Sequence, residues 1–518
     1  MKNKKWLKLS LATAITLSIG SAYIPPTFAE SATDPAPQIT AKVVNQNNGK
    51  KVLFDNTHGQ TAGTADWVID GGFSDFGNGI AKNGYFVKEL RQSTPITYEN
   101  LKDYHVFIVP EANIPYKKSE QDAMLQYVKN GGSIFFIADH YNADRNKNRW
   151  DSSEVFNGYR RGAWDNPAKG MSNEEANSPA MQGVESSDWL SQNFGIRFRY
   201  NALGDVSAKN IVSPEQSFGI TKGVSSVAMH AGSTLAITNP KLAKGIVYLP
   251  ENPSKWNNAV DSGVYNGGGI AEGPYAAIAK VGLGKAAFIG DSSPVEDASP
   301  KYVREDTGQT KKTYDGYKEE NDAILLENIV NWLSKQEPYT SLDQINGLQL
   351  DNPTPLQTFE QPNLSTEPQP EPWSAPNQGY QWFNTNTFKL GSYGYKGSVT
   401  TSDYTVIHPS ILPNNEVFQI KLQANNLLPN ATYNNYSLGI FTTGGTQVAK
   451  VQNENGTWPS TFGYSSVFSF TTNSLGFAEK IVNVQLAPNT TGQATLRLRQ
   501  NTMTKYNEAV TINNKVKL

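Results

Sequence analysis

Few side chains in this sequence can do chemistry. There are five histidines, His58, His105, His140, His230 and His408, and no cysteine. Without thiols, disulfides, zinc thiolates and cysteine nucleophiles are excluded. Two histidines stand among carboxylates, in Asp55-Asn56-Thr57-His58 and in Asp139-His140-Tyr141-Asn142-Ala143-Asp144-Arg145. Two chemistries suit such residues. Imidazoles and carboxylates can hold a divalent metal that activates water, here from Asp55, His58, Asp139, His140 and Asp291. Alternatively, a histidine and a carboxylate act as base and orienter without metal, with His140, Asp139, Asp144 and His58 as the catalytic candidates. Arg145, Arg149, Arg160 and Arg161 suit an anionic substrate such as a phosphate, because guanidinium donors match its oxygens. His230 is a further substrate-binding candidate. No phosphate-binding Walker loop, His-Glu-x-x-His or Gly-x-Ser-x-Gly pattern is present.

These residues need a scaffold that brings them together, and the sequence around them describes one. Short apolar runs at 50–54, 105–109 and 133–138 read as strands, and each ends just before a polar cluster. The run Ser133-Ile134-Phe135-Phe136-Ile137-Ala138 has no polar alternation, as expected for a strand buried on both faces of a parallel sheet. A helix-like stretch lies within 77–92. A second helix, 120–129, is capped by Ser119 and closed by Gly131-Gly132. Further strands are expected near 234–238, 245–249, 275–281 and 285–289. An amphipathic helix over 321–333 closes the unit. Strands alternating with helices imply an α/β layered domain, whose ligands bind beyond the carboxyl ends of the strands. His58, His140, Asp55, Asp139, Asp144 and Asp291 all fall there, whereas His230 precedes a strand.

The polar stretch 141–190 is long for a loop and follows a buried strand directly, which favours a functional role. Residues 352–376 are rich in proline and read as an extended linker. Beyond it, alternating segments such as Val417-Phe418-Gln419-Ile420-Lys421-Leu422 predict an antiparallel β-sandwich. Its opening aromatics, Trp373, Tyr380, Trp382, Phe383, Tyr393 and Tyr395, suit core packing or stacking on a ligand. The amino terminus has the basic, apolar and small-residue regions of a secretory signal, with Thr27-Phe28-Ala29 at the cleavage position. The expected layout is therefore a signal peptide at 1–29 and a flexible leader at 30–48. An α/β domain at 49–337, a linker at 338–376 and a sandwich at 377–518 follow. The two domains are expected to fold separately, with proteolysis between Asn352 and Gln378.

The full chain carries 45 basic and 47 acidic residues. Removing the four lysines of the signal leaves a net charge of −6. That balance gives no global basic surface, so nucleic acid is a conceivable partner that charge does not indicate. No stretch of the mature chain is apolar enough to span a membrane.

The segment Tyr127-Val128-Lys129-Asn130-Gly131-Gly132-Ser133-Ile134-Phe135-Phe136-Ile137-Ala138-Asp139-His140 resembles the ThuA-like branch of the class I glutamine-amidotransferase-like superfamily. Gly284-Lys285-Ala286-Ala287-Phe288-Ile289-Gly290-Asp291 is similar to its late strand. Asn321-Asp322 with Asn328-Ile329-Val330-Asn331-Trp332-Leu333 is similar to its last helix. The resemblance covers about residues 50–335 and implies a flavodoxin-like fold. It does not carry amidotransferase chemistry, which needs a cysteine nucleophile.

The expected function is a secreted, extracellular hydrolase, metal-assisted and acting on a phosphoester or other anionic substrate. The alternative is a non-catalytic binding protein of the cell surface or matrix with a glycan or polymer ligand. Export is directly testable. Amino-terminal sequencing of the culture supernatant should give a chain starting at Glu30, and an intact Met1 on a membrane-bound product would contradict the signal reading.

Overall fold

The computed structural model describes residues 36–60, 67–143, 148–257, 263–297, 315–369, 380–384, 387, 403–425, 427, 431–473, 476–501 and 503–514. A nine-stranded mixed sheet organises the first domain. Its strands are β1 (Gln38–Ile39), β2 (Lys51–Asp55), β3 (Phe86–Leu90), β4 (Val106–Pro110), β5 (Ser133–Ile137), β6 (Asn210–Ile211), β7 (Ala243–Tyr248), β8 (Pro274–Val281) and β9 (Gly284–Ile289). The spatial order is β1-β3-β2-β4-β5-β9-β8-β7-β6. The five strands from β3 to β9 run parallel, and the flanking strands pair antiparallel.

Alternation sends neighbouring side chains of each strand to opposite faces. Phe135 and Ile137 of β5 join a core with Phe76 and Ile80 of α1 (Ser74–Lys82) and Leu325, Leu326 and Ile329 of the closing helix Asp322–Leu333. Ile134 and Phe136 join the opposite core, with Met124 and Val128 of the helix Lys118–Lys129 and Trp189 and Phe194 of the helix Trp189–Phe194. Both faces are covered, which explains the continuous apolar runs. The Gly131-Gly132 turn also has a physical reason. Gly131 has φ +107°, and a side chain on Gly132 would overlap the Tyr127 ring.

Two elements depart from the sequence reading. The stretch 77–92 splits into α1 and the parallel strand β3. The strand expected at 234–238, Leu235–Ile237, leaves the main sheet and pairs with Ile196–Phe198.

The second domain has a four-stranded sheet, two of whose strands are Phe418–Asn425 and Ala478–Leu486, and a five-stranded sheet that includes Thr432–Thr442 and Gly492–Gln500. Ile420, Val484, Leu438 and Leu496 from the two sheets share one core. It touches the first domain. The Phe477 ring lies 5.2 Å from that of Phe86, and Lys51 Nζ sits 4.0 Å from its centroid. Thr40 Oγ1 donates to Thr405 Oγ1 at 3.0 Å.

The proline-rich segment is anchored through residue 369 rather than extended freely. Asp351 accepts from the Gly245 N–H at 2.6 Å and from Lys244 Nζ at 3.0 Å. Thr354 exchanges hydrogen bonds with Ile237. Glu360 makes a buried two-pronged ion pair with Arg199, at 2.9 and 2.7 Å. Trp382, assigned above to the sandwich, instead joins the first domain's core and donates to Glu175 Oε1 at 2.7 Å. Trp373, Tyr393 and Tyr395 lie outside the described residues. Among the described residues no helix is long and apolar enough to cross a membrane.

Removing one partner of a buried ion pair strands the other charge. Glu360→Ala should therefore lower the stability of the first domain by about 3–5 kcal/mol in urea unfolding followed by tryptophan fluorescence. A loss under ~1 kcal/mol, as at an exposed pair, would show that the segment is dispensable.

Candidate functional site

The carboxyl ends of the parallel strands gather the candidate residues into two separated groups. β4 lies between β2 and β5, so Asp55 and His58 sit apart from Asp139 and Asp291. Among the described residues no three imidazole or carboxylate groups converge as metal ligands. The expected metal set of Asp55, His58, Asp139, His140 and Asp291 is thus divided by the sheet order. Asp144 and Arg145 lie outside the described residues.

The first group is a clamp. Asp55 is fully buried at the end of β2 and accepts from Thr57 N and Oγ1, Gln60 Nε2 and Tyr116 OH at 2.6 to 3.1 Å. His58 Nδ1 faces Asp55 Oδ2 at 3.1 Å, and Nε2 faces Glu120 Oε1 at 3.3 Å. Glu120 also caps its own helix, accepting from the N–H groups of Lys117 and Ile96. Burial alone would lower the His58 pKa, but Glu120 and then Asp55 outweigh it and raise it to about 10. Burial alone would raise the carboxyls of Asp55 and Glu120, but the His58 charge holds both below the usual range. At neutral pH His58 is therefore an imidazolium with both nitrogens engaged, which corrects its expected role as a base. It lines a cleft of about 600 Å³ with Thr57, Pro95, Lys117, Glu120 and Phe383.

The second group lies where β5 and β9 end side by side, with Ile137 opposite Ile289. Asp291 is fully buried. Its Oδ1 accepts from Ser293 N at 2.9 Å and its Oδ2 from His230 N at 2.7 Å. Burial and the charge of Asp139 nevertheless push its carboxyl well above the usual range. Asp139 accepts from the His140 N–H at 2.6 Å, and Ser292 Oγ approaches its other oxygen at 3.5 Å. The His230 ring turns to Glu319, at 2.7 Å, and Asp205, at 3.5 Å. Burial would lower its pKa, but the Glu319 hydrogen bond raises it overall. His230 is thereby tied to protein carboxylates rather than presented to a substrate.

His140 is built differently. Its Nδ1 lies 2.9 Å from the Tyr141 carbonyl, which can only accept, so Nδ1 carries a proton. The ring is buried, 4.5 Å from that of Trp256. Asp151, also buried, acts on it electrostatically. Burial and then Glu154 raise the Asp151 carboxyl to about 6, against the pull of His140.

The arginines have structural partners. Arg149 makes a two-pronged pair with Glu175 at 2.6 and 3.1 Å. Arg160 donates to the carbonyls of Pro167 and Lys169. The Arg161 guanidinium lies over the rings of both Tyr141 and Tyr200.

Glu120, Tyr116, Asp151, Trp256 and Glu319 were not singled out from the sequence. Two of them left a local signal there, Glu120 as the acidic third residue of a helix that begins at Lys118, and Asp151 as the cap of Asp151-Ser152-Ser153-Glu154.

No family model matches the chain, and no curated protein matches it. Among solved structures it is similar to an mmIFT52 N-terminal domain. That likeness has 14% identity and a TM-score of 0.34, and covers 56% of this chain and 100% of the other. A likeness this low carries no argument about fold or function.

The clamp has a pH signature. The folded pKa of His58, about 10, exceeds its unfolded value of 6.5, so its stabilisation is complete below about pH 6.5 and disappears as pH rises through 10. The stability advantage of the wild type over His58→Gln should shrink across that interval in thermal melts. A gap constant from pH 6 to 10 would mean that His58 is not held charged.

Proposed function

We propose that this chain is a secreted hydrolase whose catalytic base is His140, acting on an ester bond, a phosphoester in the first place, of an anionic extracellular substrate. The observation that carries the reading is the His140 ring. Its Nδ1–H is fixed on the Tyr141 carbonyl, which assigns proton exchange to Nε2, and the residue stands at the mouth of β5. A histidine so oriented can draw a proton from water as it attacks. Asp139 stabilises the local turn by accepting from the His140 N–H. The neighbouring Asp291, kept high in pKa, is a candidate reservoir for the proton. This is the metal-free form of the two chemistries open in the sequence, and the division of the expected ligands between two groups favours it. A flavodoxin-like organisation agrees with an active edge at the strand carboxyl ends.

The binding-protein reading has one observation in its favour. Arg149, Arg160, His58 and His230 all have protein partners, as side chains with structural duties do. One screen separates the two. The mature protein is assayed against phosphoesters, carboxyl esters, nucleic acids and polysaccharides, with and without chelator. His140→Ala should lower any turnover by about 10²- to 10⁴-fold. It should cost no more than about 1.5 kcal/mol of stability, the worth of one hydrogen bond. Turnover that resists chelator supports an imidazole base, and loss under chelator returns the site to metal assistance. Wild-type turnover in His140→Ala removes His140 from the mechanism.

A further inference from the structure

A buried charge over the ring of Tyr141, the residue after His140, has guanidinium N–H groups without acceptors. Arg161 is 2% exposed. Its guanidinium carbon lies 4.6 Å from the ring centroid of Tyr141 and 4.5 Å from that of Tyr200. The two ring faces stabilise the cation, but the N–H groups lie in the guanidinium plane and need acceptors of their own. Nε and Nη1 are buried and have none. The backbone N–H of Arg161 donates to Glu154 Oε1 at 2.8 Å. Buried polar groups are normally hydrogen-bonded, and a charged donor left without an acceptor is costly. Asn142 Oδ1 and Asp151 Oδ1 are among the other buried polar atoms without partners between the end of β5 and Arg161. Asn142 adopts the left-handed backbone conformation, φ 71°, which side chains rarely take. Strain and unmatched polar atoms together, next to a histidine of fixed tautomer, are the pattern of a site prepared for a ligand.

We propose that Arg161 receives an oxyanion, the phosphate or carboxylate group of the molecule on which His140 acts. This deepens the hydrolase reading and takes its substrate from there. Tyr141 links the two residues, because its carbonyl fixes the His140 ring and its own ring supports the guanidinium. An oxyanion would accept from Nε and Nη1, and a protonated oxygen on it could donate to Asn142 Oδ1. Arg149 is paired with Glu175, and both terminal nitrogens of Arg160 donate to backbone carbonyls with only its Nε unmatched, so Arg161, unmatched at Nε and Nη1, takes this role in their place.

Calorimetric titration of the full mature chain tests this, with inorganic phosphate and acetate as probes and chloride at matched ionic strength as control. Saturable binding of one anion is expected, and which one binds decides between phosphate and carboxylate. Arg161→Gln should weaken it at least tenfold, and Lys118→Gln, at an exposed residue paired with Asp122, should keep wild-type affinity. Circular dichroism checks that the variants fold. If Arg161→Gln does not, Arg161→Lys carries the test, with weakened binding expected because a point charge replaces a planar donor. Equal affinity in wild type and variant, or no saturable binding by the wild type, overturns the proposal. The hydrolase reading fails separately. Arg161-dependent binding without turnover of any substrate removes the enzyme and keeps the anion site. Turnover lost in His140→Ala without anion binding does the reverse.

Discussion

The pairing of β5 with β9 is the constraint on which the site depends. It joins Ser133–Ile137 to Gly284–Ile289, in register and in parallel. Both strands are buried on both faces, so neither can carry polar chemistry along its length. The first positions open to it are those just beyond their carboxyl ends. Asp139 and Asp291 occupy these positions on neighbouring strands, and the closeness of two carboxyls follows from the register alone. Nothing in the local sequence of either strand encodes that repulsion.

Strand direction in the sheet changes next to this pairing. Beyond β9 the strands β8, β7 and β6 pair antiparallel, and β1 pairs antiparallel with β3, so the parallel part is flanked on both sides. The antiparallel flank leaves the backbone of β7 partly unpaired on its outer side, and the proline-rich segment covers it. Asp351 caps the Gly245 N–H and the Arg199–Glu360 pair fixes the segment further along. A buried ion pair gives more specificity of docking than net stability, because its desolvation cost offsets much of the attraction. That cost is compatible with a segment whose few apolar residues could not hold it in place by themselves.

The parallel strands were legible in the sequence because burial on both faces writes an uninterrupted apolar run. β3 was not, because Phe86-Val87-Lys88-Glu89-Leu90 carries two charges and reads as helix or loop. Glu89 is nonetheless fully buried, satisfied in part by Asn56 and Arg91. The anchoring of residues 338–369 was hidden for a related reason. Proline content reports backbone stiffness, not whether a stiff chain is docked. At the site, sequence placed the right residues at the strand ends but could not say what faced them. His58 and His140 occupy equivalent places, one a few residues after β2 and the other after β5. Their chemistry differs because Glu120, distant in sequence, meets one ring, and a main-chain carbonyl meets the other.

That contrast bears on how a fold of this kind assigns function among similar residues. A histidine between two carboxylates gains its stability from being charged, and the more tightly it is held the less it can exchange a proton near neutral pH. A histidine whose Nδ1 meets a carbonyl has that nitrogen fixed as a donor, without the paired carboxylates that hold His58 charged. The two arrangements therefore trade stability against reactivity in opposite senses. The clamp ties β2 to the helix Lys118–Lys129 and stiffens the edge of the sheet, whereas the loop after β5 leaves polar atoms of Asn142, Asp151 and Arg161 unmatched. Rigid strands to one side and an incompletely satisfied loop on the other are what a binding site requires, since a ligand can contribute hydrogen bonds only where the protein has not already made them.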